Sequence, residues 1–231
     1  MNALERIPRL TDIRAAIIDL DGTMVHTAPD FHVAINRMRQ DLSLGPLDIE
    51  TITHFVGKGT ENLMRRVLAV DYGTEDVERH FASALASYLK HYLAINGDYS
   101  TVYPGVREGL DGLQAKHVRL ACVTNKPIAF ALPLLEKTGL HRYFELVYGG
   151  DSLPKKKPDP LPLLKVCEDF DLPPRQVVAI GDSSNDAQAA RAAGCKVLNV
   201  PYGYNHGESI HNVDSDGIVS TLLDAAHLIS A

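Results

Sequence analysis

Asp19-Leu20-Asp21-Gly22-Thr23 places two carboxylates two positions apart, directly after the apolar run Ala15 to Ile18. Where a chain leaves a strand, residues two apart project to the same side, so Asp19 and Asp21 make a paired acid site. Three more chemistry-bearing strings follow apolar runs. Thr124-Asn125 comes after Leu120 to Val123 and offers a hydroxyl and an amide suited to phosphate oxygens. Lys155-Lys156-Lys157-Pro158 comes after Leu146 to Gly150 and offers a lysine to offset negative charge. Gly181-Asp182-Ser183-Ser184-Asn185-Asp186 comes after Val177 to Ile180, with two further acids at the start of a helix. Each string alone fits a plainer role: an acidic turn, a solvated basic loop, or an N-cap made by Asp182 or Ser183. Their common position after strands, in this order, is hard to assign to accident.

The apolar runs Ala15 to Ile18, Leu120 to Val123, Leu146 to Tyr148, Val177 to Ile180 and Val197 to Val200 lack strict alternation, as strands covered on both faces do. Helical patterns over Val106 to Lys116, Ile128 to Lys137 and Asn185 to Ala193 supply the cover. The fold class is therefore α/β, a doubly wound, mainly parallel, Rossmann-like sheet. About 75 residues without a convincing strand separate the first two strands, too long for an ordinary connection, so they form an inserted helical unit. In it Phe31, Ala34, Ile35, Met38 and Leu42 share one helical face, and Val77, Phe81, Leu85, Tyr88 and Tyr92 another. The expected division is residues 1–25 and 100–231 for the core and 26–99 for the insert. Thr27 with Asp30 resembles a capping box where the insert begins.

A chain of 231 residues with 45% hydrophobic content can bury a full core. Its net charge of −6, with acids and bases interspersed, offers no basic stripe for nucleic acid or an anionic membrane, which leaves a small molecule as the expected partner. The three cysteines, Cys122, Cys167 and Cys195, lack metal-ligand spacing and read as buried thiols of a reducing compartment. Met1 to Leu10 has no signal-peptide core and no apolar run is long enough to span a membrane, so a cytoplasmic protein is expected. Monomer and homodimer both remain open.

The four strings, at Asp19 to Thr23, Thr124, Lys157 with Pro158, and Gly181 to Asp186, resemble in order the four motifs of the haloacid-dehalogenase-like phosphohydrolases. Ala28-Pro29-Asp30, Tyr103-Pro104-Gly105-Val106, Thr124-Asn125-Lys126, Gly149-Gly150-Asp151, Lys156-Lys157-Pro158 and Pro201-Tyr202-Gly203-Tyr204 are most similar to the bacterial phosphoglycolate phosphatases in that superfamily. The resemblance implies Asp19 as nucleophile and Asp21 as the acid that protonates the leaving alcohol and then activates water. It implies Mg2+ on the Asp19 carboxylate, the Asp21 carbonyl and the Asp182 carboxylate, with Asp186 in support, and Lys157 as a neutralising cation. Thr124 and the backbone around Gly22 and Asn125 would hold the phosphoryl oxygens, and the insert would be a cap that closes over the site. In Val56-Gly57-Lys58-Gly59-Thr60, Lys58 would contact the glycolate carboxylate, or else the loop is simply a flexible turn with a solvated lysine. His26 stands where relatives commonly carry an acid, and reads as an exposed linker histidine.

The implied reaction is magnesium-dependent hydrolysis of a small phosphate monoester, 2-phosphoglycolate foremost, through an aspartyl phosphate. Another monoester such as a sugar phosphate, or a sugar-phosphate mutase, shares all four motifs. A noncatalytic phosphometabolite-binding module is the remote reading, since it would have no need of both Asp19 and Asp21.

Overall fold

The computed structural model describes residues 7–230, so most of the stretch read above for a leader, and the extreme ends of the expected core, lie outside it. In chain order the elements are β1 (Ala15–Ile18), β2 (Val25–His26), α1 (Ala28–Asp41), α2 (Ile49–Phe55), α3 (Thr60–Leu68), α4 (Thr74–Ile95) and β3 (Thr101–Val102). There follow α5 (Val106–Ala115), β4 (Arg119–Val123), α6 (Ile128–Lys137), β5 (Leu146–Tyr148), α7 (Leu161–Asp169) and β6 (Val177–Gly181). The chain closes with α8 (Ser184–Ala193), β7 (Lys196–Asn199), β8 (Gly217–Ile218) and α9 (Leu222–Leu228).

Six strands form a parallel sheet in the order β5-β4-β1-β6-β7-β8. β1 lies inside it, with Ala15 opposite Arg119 on one side and Val177 on the other. Alternate strand residues feed two separate cores. Ala16, Ile18, Leu120, Cys122, Val178 and Ile180 pack with α5, α6 and α9, whereas Ala15, Ile17, Ala121, Val123, Val177 and Ala179 pack with α7 and α8. Both faces of each central strand are buried, which explains why the sequence shows continuous apolar runs. All three cysteines are buried and unpaired.

Residues 28–95 carry four helices with their own apolar cluster, built on Phe31, Ile35, Met38, Ile52, Met64, Val67, Tyr88 and Tyr92. Phe130 of α6 and Tyr204 extend that cluster into the residues beneath.

Several short elements lack a sequence signature. β2 and β3 pair antiparallel, Val25 with Val102 and His26 with Thr101, and bracket the helical segment. Two-residue strands carry too little periodicity to be read, as is also true of β8. The capping box expected at Thr27 does not form: Thr27 makes no side-chain cap, and its Oγ1 is buried without a partner. Asp30 turns instead to the chain returning from α4, accepting from Gly97 N at 2.7 Å, Tyr99 N at 2.8 Å and Ser100 Oγ at 2.5 Å. Three donors from the returning chain hold a carboxylate more strongly than one helix-terminal amide does.

Candidate active site

The four strings converge at the carboxyl ends of β1, β4, β5 and β6. Asp19 follows β1 with its backbone N–H donated to Ile180 O at 3.0 Å, and its Oδ1 accepts from Leu20 N at 2.8 Å. Lys157, from the loop after β5, reaches the same oxygen at 3.0 Å. Its ammonium also donates to Val123 O at 2.7 Å and to Asp186 Oδ1 at 2.6 Å, so all three of its protons are used. Asp186 Oδ2 in turn accepts from Ser183 N at 3.2 Å and Ser183 Oγ at 2.6 Å at the start of α8. Asp182 Oδ1 accepts from Thr23 Oγ1 at 2.7 Å, and its Oδ2 accepts from Tyr204 N. Gly22, at φ +82°, closes the turn; a side chain there would collide with Asp182, and its Cβ would stand 2.8 Å from the Tyr204 ring.

Ligand oxygens of Asp19, Asp182 and Asp186 lie within 4.8 Å of one another. Three carboxylates facing one lysine leave excess negative charge. Burial pushes Asp19 up from 3.8 to about 7 against the pull of Lys157, with the charges of Asp186 and Asp21 adding to the rise. Burial also raises Asp182, helped by Asp186 and Asp19. Burial works to lower Lys157, but Asp186 and Asp19 outweigh it and hold the ammonium above its ordinary value. An all-oxygen donor set with uncompensated charge is what a hard divalent cation requires, and the fit rests on these residues alone.

Asp21 stands apart from that cluster, paired with Lys126 Nζ at 2.9 Å. Lys126 is almost wholly buried beneath the rings of Phe31 and Tyr92, 4.6 and 4.8 Å from their centres. In the sequence its one signal is its place in Thr124-Asn125-Lys126, two residues after Thr124. Thr124 is buried, with Oγ1 accepting from Lys126 N at 3.1 Å. Asn125 Nδ2 donates to Lys157 O at 2.8 Å and to Gly57 O at 3.0 Å. Asn185 Nδ2 donates to the same Gly57 carbonyl at 3.1 Å, so the loop between α2 and α3 is held by two amides from the sheet side.

A cavity of about 40 Å³ lies between these groups and the helices, with Asp19, Asp21, Thr124 and Lys126 on its floor and Phe31, Tyr88, Tyr92, Phe130 and Leu63 as walls. Gly57 and Gly59 line it, whereas Lys58 does not; Lys58 faces a separate opening with Lys155, Lys156 and Lys157. His26 is half-buried rather than exposed. Its Nδ1 lies 2.8 Å from the Tyr204 hydroxyl and 3.1 Å from that of Tyr103, and burial lowers its pKa. The Tyr204 hydroxyl also accepts from Thr27 N and Ala28 N, both at 2.9 Å, where the chain enters α1.

A family model described as haloacid dehalogenase-like hydrolase matches residues 16–200. The chain belongs to the haloacid dehalogenase-like hydrolases. A member named phosphoglycolate phosphatase from Nitrosospira multiformis is 49% identical over 94% of this chain and 96% of its own length. One of the same name from Thiobacillus denitrificans is 47% identical, also over 94% of this chain and 96% of its own length. Among solved structures, a predicted phosphoglycolate phosphatase from Haemophilus somnus superposes with a TM-score of 0.88 at 33% identity, covering 95% of this chain and 99% of that one. The family's hydrolytic character accords with a site made of acids, lysines and hydroxyls.

Proposed function

We propose that this hydrolase cleaves 2-phosphoglycolate to glycolate and phosphate through an aspartyl phosphate on Asp19, in a magnesium-dependent reaction. The observation that carries the reading is the meeting of Asp19, Lys157, Asp182 and Asp186 beside a separately paired Asp21, in a chain nearly half identical to proteins named for this substrate. A cavity of about 40 Å³ favours a short ester over a sugar phosphate, since a single water needs on the order of 10–15 Å³ measured the same way.

Asp19, Asp182, Asp186 and the Asp21 carbonyl would hold Mg2+, which when bound supplies charge compensation for the phosphoryl group. Lys157 adds a fixed positive charge next to the attacking carboxylate. Thr124, with backbone amides near Gly22 and Asn125, orients the phosphoryl oxygens. A carboxylate oxygen of Asp19 bonds to phosphorus as the ester oxygen leaves, taking the proton of Asp21. Water then attacks the acyl phosphate and gives its proton to Asp21, releasing phosphate and restoring Asp19. Lys126, beside Asp21, positions that carboxyl group. Residues 26–99 act as a cap that keeps bulk water out while the phosphoryl group moves, with Gly57 among its contacts to the residues around the site.

The test is phosphate release from a panel of 2-phosphoglycolate, sugar phosphates and phosphoserine, with Mg2+ or EDTA. Turnover that depends on Mg2+, is greatest on 2-phosphoglycolate and vanishes in Asp19→Asn supports the reading. Preference for another ester discards the substrate and keeps the chemistry, and no release from any ester sinks both.

A further inference from the structure

Helix α1 has no side-chain cap of its own. Thr27 supplies none, and the hydroxyl of Tyr204, 177 positions away, takes the amide protons of Thr27 and Ala28 instead, both at 2.9 Å. A phenol oxygen has room for two donors and one proton to give. Both places are filled, so the hydroxyl must act as donor to its third neighbour, His26 Nδ1, at 2.8 Å. Burial holds the phenol well above its ordinary pKa, which keeps that proton in place. The count fixes the histidine: Nδ1 is an acceptor, and the neutral ring carries its hydrogen on Nε2.

His26 sits on β2, in the short pairing with β3 that brackets the helical segment. Its ring faces Tyr103 after β3 and Tyr204 after β7, with Tyr202 stacked behind Tyr103 at 4.3 Å between centres. Thr101, its partner on β3, is uncharged, and Asp21 and Asp182 act on the Tyr103 hydroxyl. Burial lowers the His26 pKa below its ordinary 6.5, so the neutral ring prevails at neutral pH. A proton added at Nδ1 would face an oxygen with no lone pair free, donor against donor, and the Tyr103 hydroxyl at 3.1 Å is the acceptor that remains. Tyr204 also donates its backbone N–H to Asp182, so the residue released from His26 is the one that joins the start of α1 to the acid cluster. We propose that neutral His26 secures the entry into the cap by accepting the Tyr204 proton, and that protonation turns the imidazole to Tyr103 and frees that entry, which makes His26 an acid-sensitive positioning residue. The device is independent of which ester is hydrolysed.

NMR of the full chain labelled on nitrogen tests this without an activity assay. At pH 8 the His26 ring should carry its hydrogen on Nε2. As pH falls and the ring protonates, exchange of the Thr27 and Ala28 amides, corrected for intrinsic rate, should rise about 10-fold, the scale of one lost hydrogen bond. His26→Asn keeps an acceptor where Nδ1 stands and does not titrate, so its amides should stay protected over the same range. A hydrogen on Nδ1 at pH 8 overturns the inference, as does amide protection indifferent to the charge on His26, or equal acid sensitivity in His26→Asn. Should the variant fail to fold, the wild type decides alone: amide release must follow the His26 ring titration, and release that tracks another group, Asp19 included, overturns the proposal.

Discussion

Replacing Asp19 by asparagine should make the protein inactive and, without metal, more stable at alkaline pH. Asp19 titrates near 7 in the folded chain and 3.8 otherwise, so folding holds its proton more tightly than the unfolded state does. The stability linked to that proton is complete below about pH 3.8 and is lost as pH rises through about 7. The interval from 3.8 to about 7 corresponds to about 4 kcal/mol at about 1.4 kcal/mol per pH unit. Asparagine retains the oxygen that accepts from Leu20 N and Lys157 but carries no charge to bury. Water entering the open site lowers the figure, so a gain of about 1–4 kcal/mol is expected at pH 8 in EDTA. By pH 4.5 it should shrink below about 1 kcal/mol. Urea unfolding of both proteins at the two pH values measures this, and Mg2+ added at pH 8 should stabilise the wild type more than the variant. A variant less stable than wild type at pH 8 in EDTA refutes the account of Asp19 as a strained, under-compensated charge.

Tyr204→Phe strands the Thr27 and Ala28 amides and one partner of His26, and should cost about 2–4 kcal/mol in chemical denaturation. Asp30→Ala removes the acceptor of three donors at the return from α4; a loss of about 2–4 kcal/mol is expected, and urea unfolding checks it. Gly57→Ala meets φ +109° and a His206 carbon at 2.7 Å, which should displace the loop and raise KM several-fold with less effect on Tm; steady-state kinetics beside a thermal melt separates the two.

Where side chains carry both their chemistry and their location in local sequence, the fold and site were legible. Asp19, Thr124, Lys157 and Asp182 each end or follow an apolar run, and a strand buried on both faces announces itself by composition. Lys126 was harder, because its significance depends on Asp21, 105 positions earlier, and on rings contributed by α1 and α4. The same applies to Tyr204, whose backbone serves Asp182 while its hydroxyl serves the start of α1. Asp30 misled for the opposite reason: a local capping pattern was present, but donors from residues 97–100 outcompeted it. Tyr88 and Tyr92 read as an ordinary helix face, and no periodicity reveals that a buried hydroxyl on such a face lacks a partner.

The position of β1 inside the sheet also governs how the molecule can be made. On a ribosome Ala15–Ile18 emerges first, yet its neighbours begin only at Arg119 and Val177, so both its edges stay open for most of synthesis. The helices of residues 28–95 bury a cluster largely their own and can gather while the strand waits. An apolar strand in that condition is open to pairing with other nascent chains, which makes the interval before β6 appears the vulnerable one for aggregation. Since the site also draws on Lys157, Asp182 and Asp186, a chain that ends before β6 has Asp19 without its carboxylate neighbours, and the cluster is completed only after the central strand has been sealed on both sides.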